Sequence, residues 1–221
     1  MGAERPCVQP GFPFPKPIPA RKHFLQNMTG SASEKSECGF FFARHGQSIS
    51  NRDEVSAGGD IDPGLTEIGR EQARVIAGIF QDLERKPGYI VTPPLKRTLD
   101  TARIINQTLH LEIRIEASLV ERFLGDWNGQ SSAITDPLLR KGVTPPNGES
   151  ATAFRNRILD SFRGLSRQCE NWPLVVGNRG PSRVLLEEIR PGNGDFLANG
   201  ELMQVRLSPG IEFRIAGVER L

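Results

Sequence analysis

Four short stretches carry side chains able to act on an anion. Phe40-Phe41-Phe42-Ala43 is an apolar run that stops at Arg44-His45-Gly46-Gln47-Ser48. Arginine beside histidine at a strand end offers a cationic fork with a ring nitrogen aimed at the same ligand. Thr92-Pro93-Pro94-Leu95-Lys96-Arg97 follows a second strand pattern and places Arg97 in the first turn of a helix. A helix N-terminus with a guanidinium fork suits a phosphate oxygen. Val120-Glu121-Arg122 sets a carboxylate next to an arginine in a loop, and Val175-Val176-Gly177-Asn178-Arg179-Gly180 ends another buried run. Singly, each has an ordinary explanation. Arg97 reads as a solvated helix charge, Glu121 as a surface ion-pair partner and His45 as a hydrogen-bonded interior ring. Their order along the chain is what raises the functional reading.

The elements that must position them follow from periodicity. Strands are expected over Phe40 to Ala43, Tyr89 to Val91, Leu111 to Ile115, Leu174 to Val176, Met203 to Leu207 and Glu212 to Ile215. Between them, Ile68, Ala73, Ile76, Ala77 and Phe80 recur at helical spacing behind Thr66, a suitable N-cap. A second helix starts near Pro94 and runs through Leu99, Ala102, Ile105 and Leu109. A third, capped by Ser150, carries Phe154, Ile158, Phe162 and Leu165 on one face, and a fourth spans Arg183 to Ile189. Strands alternating with helices predict a layered α/β domain with a largely parallel sheet. Such sheets bind ligands beyond the C-terminal ends of their strands.

The 221 residues suffice for one sizeable domain. A net charge of +2 does not call for nucleic acid or an acidic membrane. No apolar run approaches a membrane span, and no secretory leader is read at the N-terminus. Cys7, Cys38 and Cys169 are odd in number and widely spaced. They form neither a disulfide framework nor a zinc pattern, which makes a reducing cytoplasm the default. Residues 1–36 differ from the rest: Pro10, Pro13, Pro15, Pro17 and Pro19 exclude helix and central strand. A disordered or polyproline-like tail is expected there, passive or a ligand for a partner, with the folded domain over 37–221.

At the level of motifs the chain resembles the histidine phosphatase family, which includes cofactor-dependent phosphoglycerate mutase. Arg44-His45-Gly46-Gln47-Ser48 is similar to the family signature, with Asn51 at the matching downstream asparagine. Gly64-Leu65-Thr66-Glu67-Ile68-Gly69 resembles its helix start. Thr92 to Arg97, with Thr101-Ala102, resembles the segment carrying the second pocket arginine. Glu121 to Gly129 resembles the acid-bearing loop, and Gly148-Glu149-Ser150 a family turn. The resemblance covers residues 38–190 and implies an α/β/α sandwich of the phosphoglycerate mutase type. It implies that His45 accepts the phosphoryl group, that Arg44 and Arg97 hold its oxygens, and that Glu121 protonates the leaving oxygen. Asn51, Arg122, Asn178 and Arg179 join the phosphate-binding set. No metal or cofactor is implied, and the substrate is a small phosphomonoester.

One motif departs from the family. Where a second histidine is expected, an ungapped frame gives Asn178, with Arg179 in place of glycine; a one-residue shift puts Arg179 at the histidine position and supplies no histidine either. Asn178 can donate through its amide but is neutral. Arg179 either restores charge to the pocket or blocks it. Three readings stay open: a phosphatase, slowed or specialised; a pseudophosphatase that binds phosphorylated ligands; and a phosphomutase. The stretch from Gly129 to Pro145 is short for the covering insertion of a mutase, which favours hydrolysis, and Pro137, Pro145 and Pro146 suggest a stiff lid loop.

Overall fold

The computed structural model describes residues 38–208 and 213–221; the expected tail lies outside the described residues. The first strand, β1 (Cys38–Arg44), is buried along almost its whole length. Successive side chains of a strand point to opposite faces. Accordingly, Phe40 and Phe42 pack with Ile158, Leu159 and Phe162 of α5 (Ala151–Ser166) and Val184 and Leu185 of α6 (Arg179–Ile189). Phe41 and Ala43 pack on the other face with Ala73, Ile76 and Phe80 of α2 (Glu67–Asp82) and Ala102 and Ile105 of α3 (Lys96–Leu109). Two apolar cores on opposite faces make the three-layer α/β/α sandwich.

Six strands form the sheet, in the order β3-β2-β4-β1-β5-β6. The first four in that order, β3 (Ile113–Ile115), β2 (Ile90–Thr92), β4 (Leu174–Gly177) and β1, are parallel. β5 (Leu202–Leu207) runs antiparallel to β1, and β6 (Ile215–Arg220) antiparallel to β5. β2, β4 and β1 are therefore adjacent and end at the same edge, so three of the four chemistry-bearing stretches meet there.

Several expectations need correction. The closing strand lies at Ile215–Arg220 rather than Glu212 to Ile215, and residue 212 is outside the described residues. α6 begins at Arg179, earlier than Arg183, because Pro181 falls in its first turn, where a missing N–H costs no helical bond. The expected lid loop contains a helix, α4 (Ser132–Arg140), with Pro137 inside it. Thr135 of that helix is buried and hydrogen-bonded to Ser56, which holds α4 down despite the proline. A one-turn helix, α1 (Ile49–Arg52), follows the histidine loop. It is closed by a capping box in which Ser48 accepts from the Asn51 N–H and Asn51 accepts from Ser48.

The cysteine reading is also corrected. Cys38 and Cys169 form a disulfide, with Cα atoms 4.9 Å apart. They are 131 residues apart in sequence, and the pairing of β1 with β4 brings their neighbourhoods together. Cysteine spacing is thus withdrawn as an argument for a reducing compartment. Among the described residues no helix is long and apolar enough to cross a membrane.

Candidate active site

All eight candidate residues, Arg44, His45, Asn51, Arg97, Glu121, Arg122, Asn178 and Arg179, line one cavity of about 270 Å³. It opens at the C-terminal edge of β1, β2 and β4. Among the described residues no group of three His, Cys, Asp or Glu side chains is placed to hold a metal ion.

His45 is buried, and its Nδ1 donates to the Gly46 carbonyl at 2.7 Å. A carbonyl only accepts, so the proton sits on Nδ1 and the neutral ring keeps its lone pair on Nε2. Burial, then Arg97 and Arg44, holds the ring's pKa well below the ordinary histidine value. The backbone around the ring is fixed from several sides. The Gly46 N–H donates to Thr101 Oγ1 at 3.2 Å, and the His45 N–H donates to the Gly177 carbonyl at 3.0 Å. A Cβ on Gly46 would collide with the backbone of Gly69, and a Cβ on Gly69 with the backbone of Gln47. That close approach explains why α2 carries glycine in its first turn.

Both inner arginines are buried and anchored by protein acceptors. Arg44 Nη1 donates to the Leu197 carbonyl at 2.8 Å, while its Nε has no partner. Burial, together with the nearby Arg179 and Arg97, brings its pKa down to about 10, so it remains charged at neutral pH. Arg97 is 2% exposed. Its Nη1 donates to the Ile61 carbonyl at 3.0 Å, its Nη2 to the Gly58 carbonyl at 3.1 Å and its Nε to Asn178 Oδ1 at 2.9 Å. Asp62 caps α3 by accepting from the N–H groups of Lys96 and Arg97. A guanidinium held at three nitrogens loses little further freedom when a ligand arrives.

Asn178 is 1% exposed. Its oxygen is engaged by Arg97, and its Nδ2 is buried without a partner. An unmatched amide donor on the wall of a cationic cavity is a group that an anion would satisfy. The chain's other histidines offer no substitute: His23 lies outside the described residues, and His110 caps the opposite end of α3 from Arg97.

Glu121 accepts at Oε1 from the Arg122 N–H at 2.9 Å and at Oε2 from the Gly180 N–H at 2.8 Å. Gly180 is required there, since a Cβ would strike the carboxylate. Arg122 donates through Nε to the Glu149 carbonyl and through Nη2 to the Val143 carbonyl, so it orders the loop beside the cavity. Asn51 Oδ1 accepts from Ser48 and from Asn199 Nδ2 at 3.0 Å, which leaves its own amide nitrogen for a ligand.

Arg179 neither fills nor vacates the pocket. Its fork binds Asp136 of α4 at 2.8 and 2.6 Å, and its charge lies over the Phe196 ring. Asp136 thus anchors Arg179, which lines the cavity. Asp136→Ala is expected to release Arg179 toward the anion site and to tighten inhibition by product phosphate. Each ~1 kcal/mol of added attraction corresponds to about a fivefold lower inhibition constant. An unchanged constant would mean that Arg179 is held without Asp136.

Sequence reasoning missed the loop that clasps the backbone of His45 and the side chain of Arg44. Besides Leu197, which holds Arg44, Asn199 Nδ2 donates to the His45 carbonyl at 3.0 Å. It also gave no role to Asp136, and none to Arg183, although Arg183 stands five residues after Asn178 as the family frame has it. Arg183 lies one helical turn beyond Arg179, and that spacing was a usable signal.

Comparison with known proteins bears on the family and the fold. The family model described as histidine phosphatase superfamily (branch 1) matches residues 40–208. A bifunctional protein of Mycobacterium tuberculosis is 32% identical over 160 residues, covering 67% of this chain and 40% of that protein. A glucosyl-3-phosphoglycerate phosphatase of Mycolicibacterium vanbaalenii is 32% identical over 149 residues, covering 62% of this chain and 63% of that protein. The chain thus spans well under two thirds of the length of the first of these relatives. The crystal structure of the alpha-ribazole phosphatase from Shigella flexneri superposes with a TM-score of 0.68 at 21% identity, over 77% of this chain and 91% of that one, a likeness of fold. With the family model spanning β1 through β5, the chain belongs to the histidine phosphatase superfamily, branch 1.

Proposed function

We propose that this chain is a phosphomonoester hydrolase in which His45 takes the phosphoryl group. The observation that carries the reading is the His45 ring, whose Nδ1 proton is pinned on Gly46 and whose free Nε2 belongs to a cavity walled by Arg44 and Arg97. Nε2 attacks phosphorus as the ester oxygen leaves, giving a phosphohistidine. Arg44, Arg97 and the Asn178 amide take the oxygens of the transferring group. Glu121 supplies the proton to the leaving oxygen and later accepts one from the water that attacks the phosphohistidine. The named phosphatases among the relatives support hydrolysis over mutase chemistry.

The role of Glu121 is tested by leaving groups. Glu121→Gln keeps the side-chain size but has no proton to give. Turnover of an alkyl phosphate is expected to fall by roughly 10² to 10⁴, whereas 4-nitrophenyl phosphate, whose leaving group needs no proton, loses far less in the step that forms phosphohistidine. Equal losses in burst amplitude and rate for both esters would remove Glu121 from the acid role.

A second reading has one observation in its favour. The corner donor is a neutral amide that also serves Arg97, so less positive charge meets the transition state there. A phosphate-binding module without turnover would bind vanadate yet release no phosphate from either ester.

A further inference from the structure

Arg157 of α5 takes no part in the reaction just described, yet its fork is turned on the stretch that carries Glu121. Nη1 donates to the carbonyls of Ser118 at 2.8 Å and Val120 at 3.0 Å, and Nη2 reaches the Glu121 carbonyl at 3.5 Å. Nε and Nη2 also grip the Glu149 carboxylate at 3.0 and 2.7 Å, a pair largely shielded from solvent. The guanidinium lies 5.5 and 5.3 Å from the ring centres of Phe123 and Phe154, and Phe154 lines the cavity of His45. One side chain thus ties together α5, the turn before it and the acid-bearing stretch.

That stretch has few other supports. Residues 120–124 have no regular secondary structure. At Ser118 a second cavity opens, of about 610 Å³, lined also by Tyr89, Arg114, Arg157 and Ser161, so packed side chains do not back the stretch there. Ser161, one helical turn beyond Arg157, adds a hydroxyl bond to Ser118 at 2.6 Å. The Glu121 carboxylate is held by the backbone N–H groups of Arg122 and Gly180, so the run of its own backbone sets where it points.

We infer that Arg157 is the positioning residue for the general acid: it fixes the backbone from which Glu121 meets the leaving oxygen. The inference rests on Glu121 acting as that acid. A planar guanidinium has five donors and serves three carbonyls and a carboxylate together, whereas a lysine ammonium has three donors on one point of charge. Displacing a catalytic group by ~1 Å costs on the order of 10²-fold in rate.

Arg157→Lys tests this, with kcat/KM measured on an alkyl phosphate and on 4-nitrophenyl phosphate, because kcat/KM reports the step that forms phosphohistidine. The alkyl ester is expected to lose about 10- to 10²-fold and the nitrophenyl ester less than about threefold, since only the first leaving group needs the proton. Added to Glu121→Gln, Arg157→Lys should cost the alkyl ester little more, because both act through one proton. Glu149→Gln, which weakens one side of the fork and leaves the carbonyls their donors, should show the same split at smaller size. Equal losses on both esters, no loss on either, or full additivity in the double variant overturns the inference. Crystal structures of the wild type and Arg157→Lys read the placement without turnover. The Gly180 N–H to Glu121 contact, now 2.8 Å, is expected to lengthen beyond hydrogen-bond reach, and an unchanged contact overturns the inference. A broken contact, with Glu121→Gln costing both esters equally, would keep Arg157 as the positioning residue and remove Glu121 from the acid role. An ester split in Glu121→Gln that is missing from Arg157→Lys would do the reverse.

Discussion

His45→Ala is expected to lower phosphate release from 4-nitrophenyl phosphate by on the order of 10⁴- to 10⁶-fold, the scale seen when a covalent nucleophile is removed. The site otherwise remains assembled. Arg44 is held by the Leu197 carbonyl, and Arg97 by the carbonyls of Ile61 and Gly58 and by Asn178, so none depends on the ring. Vanadate should therefore still bind the variant. In the wild type, mass spectrometry of an alkaline-quenched reaction should place the phosphoryl group on the peptide containing His45. If wild type and His45→Ala release phosphate at the same rate, the mechanism is wrong. The pH profile carries the same information with a definite sign. Burial, Arg97 and Arg44 all disfavour the imidazolium, so the ring stays neutral as pH falls through the ordinary histidine range near ~6.5. After correction for the substrate's own ionisation, the acid limb of kcat/KM assigned to His45 should lie below that range. A limb centred at ~6.5 in the wild type, absent from other variants of the ring, would mean that the two arginines do not act on it.

Asn178→Asp is expected to have the second-largest effect. The two side chains have nearly the same shape, and an aspartate oxygen can still accept from Arg97 Nε, now 2.9 Å from Asn178 Oδ1. What changes is the other arm. The buried, unpartnered Nδ2 becomes an oxygen that repels the phosphoryl oxygens it should have met. Removing one such donor costs about 2.7–4 kcal/mol, or roughly 10² to 10³ in rate, and repulsion adds to that. Asn178→Ala, which removes both arms, should lose less than Asn178→Asp, because it introduces no negative charge. The opposite ranking would show that support of Arg97, and not donation to the anion, is what Asn178 contributes.

The parts of the site legible in the sequence were those fixed by strand ends and short motifs. Arg44, His45, Arg97 and Asn178 come together because β1, β2 and β4 are parallel neighbours, and alternation and run length mark those strands; Glu121 joins the cavity from a loop that only the motif marked. The missed features depend on how distant segments pack. Asp136 reads as one acid in a proline-interrupted loop until α4 brings it to Arg179. The Cys38–Cys169 pair reads as two stray thiols until the sheet closes. Asn199 sits in a loop with no periodic pattern, so nothing local marked it.

That loop has a consequence for the order in which the chain becomes competent. The carbonyl of Leu197 fixes Arg44, and the amide of Asn199 fixes the His45 backbone, across separations of 153 and 154 residues. During synthesis His45 leaves the ribosome well before its clasp, which arrives only after β4 and α6 have been made. A nascent chain stopped before Leu197 would carry the whole signature motif with nothing to hold its first arginine. The cavity around His45 is in this sense among the last parts of the domain to be completed. A bound anion should raise resistance to global unfolding, because no smaller part of the domain contains the complete site.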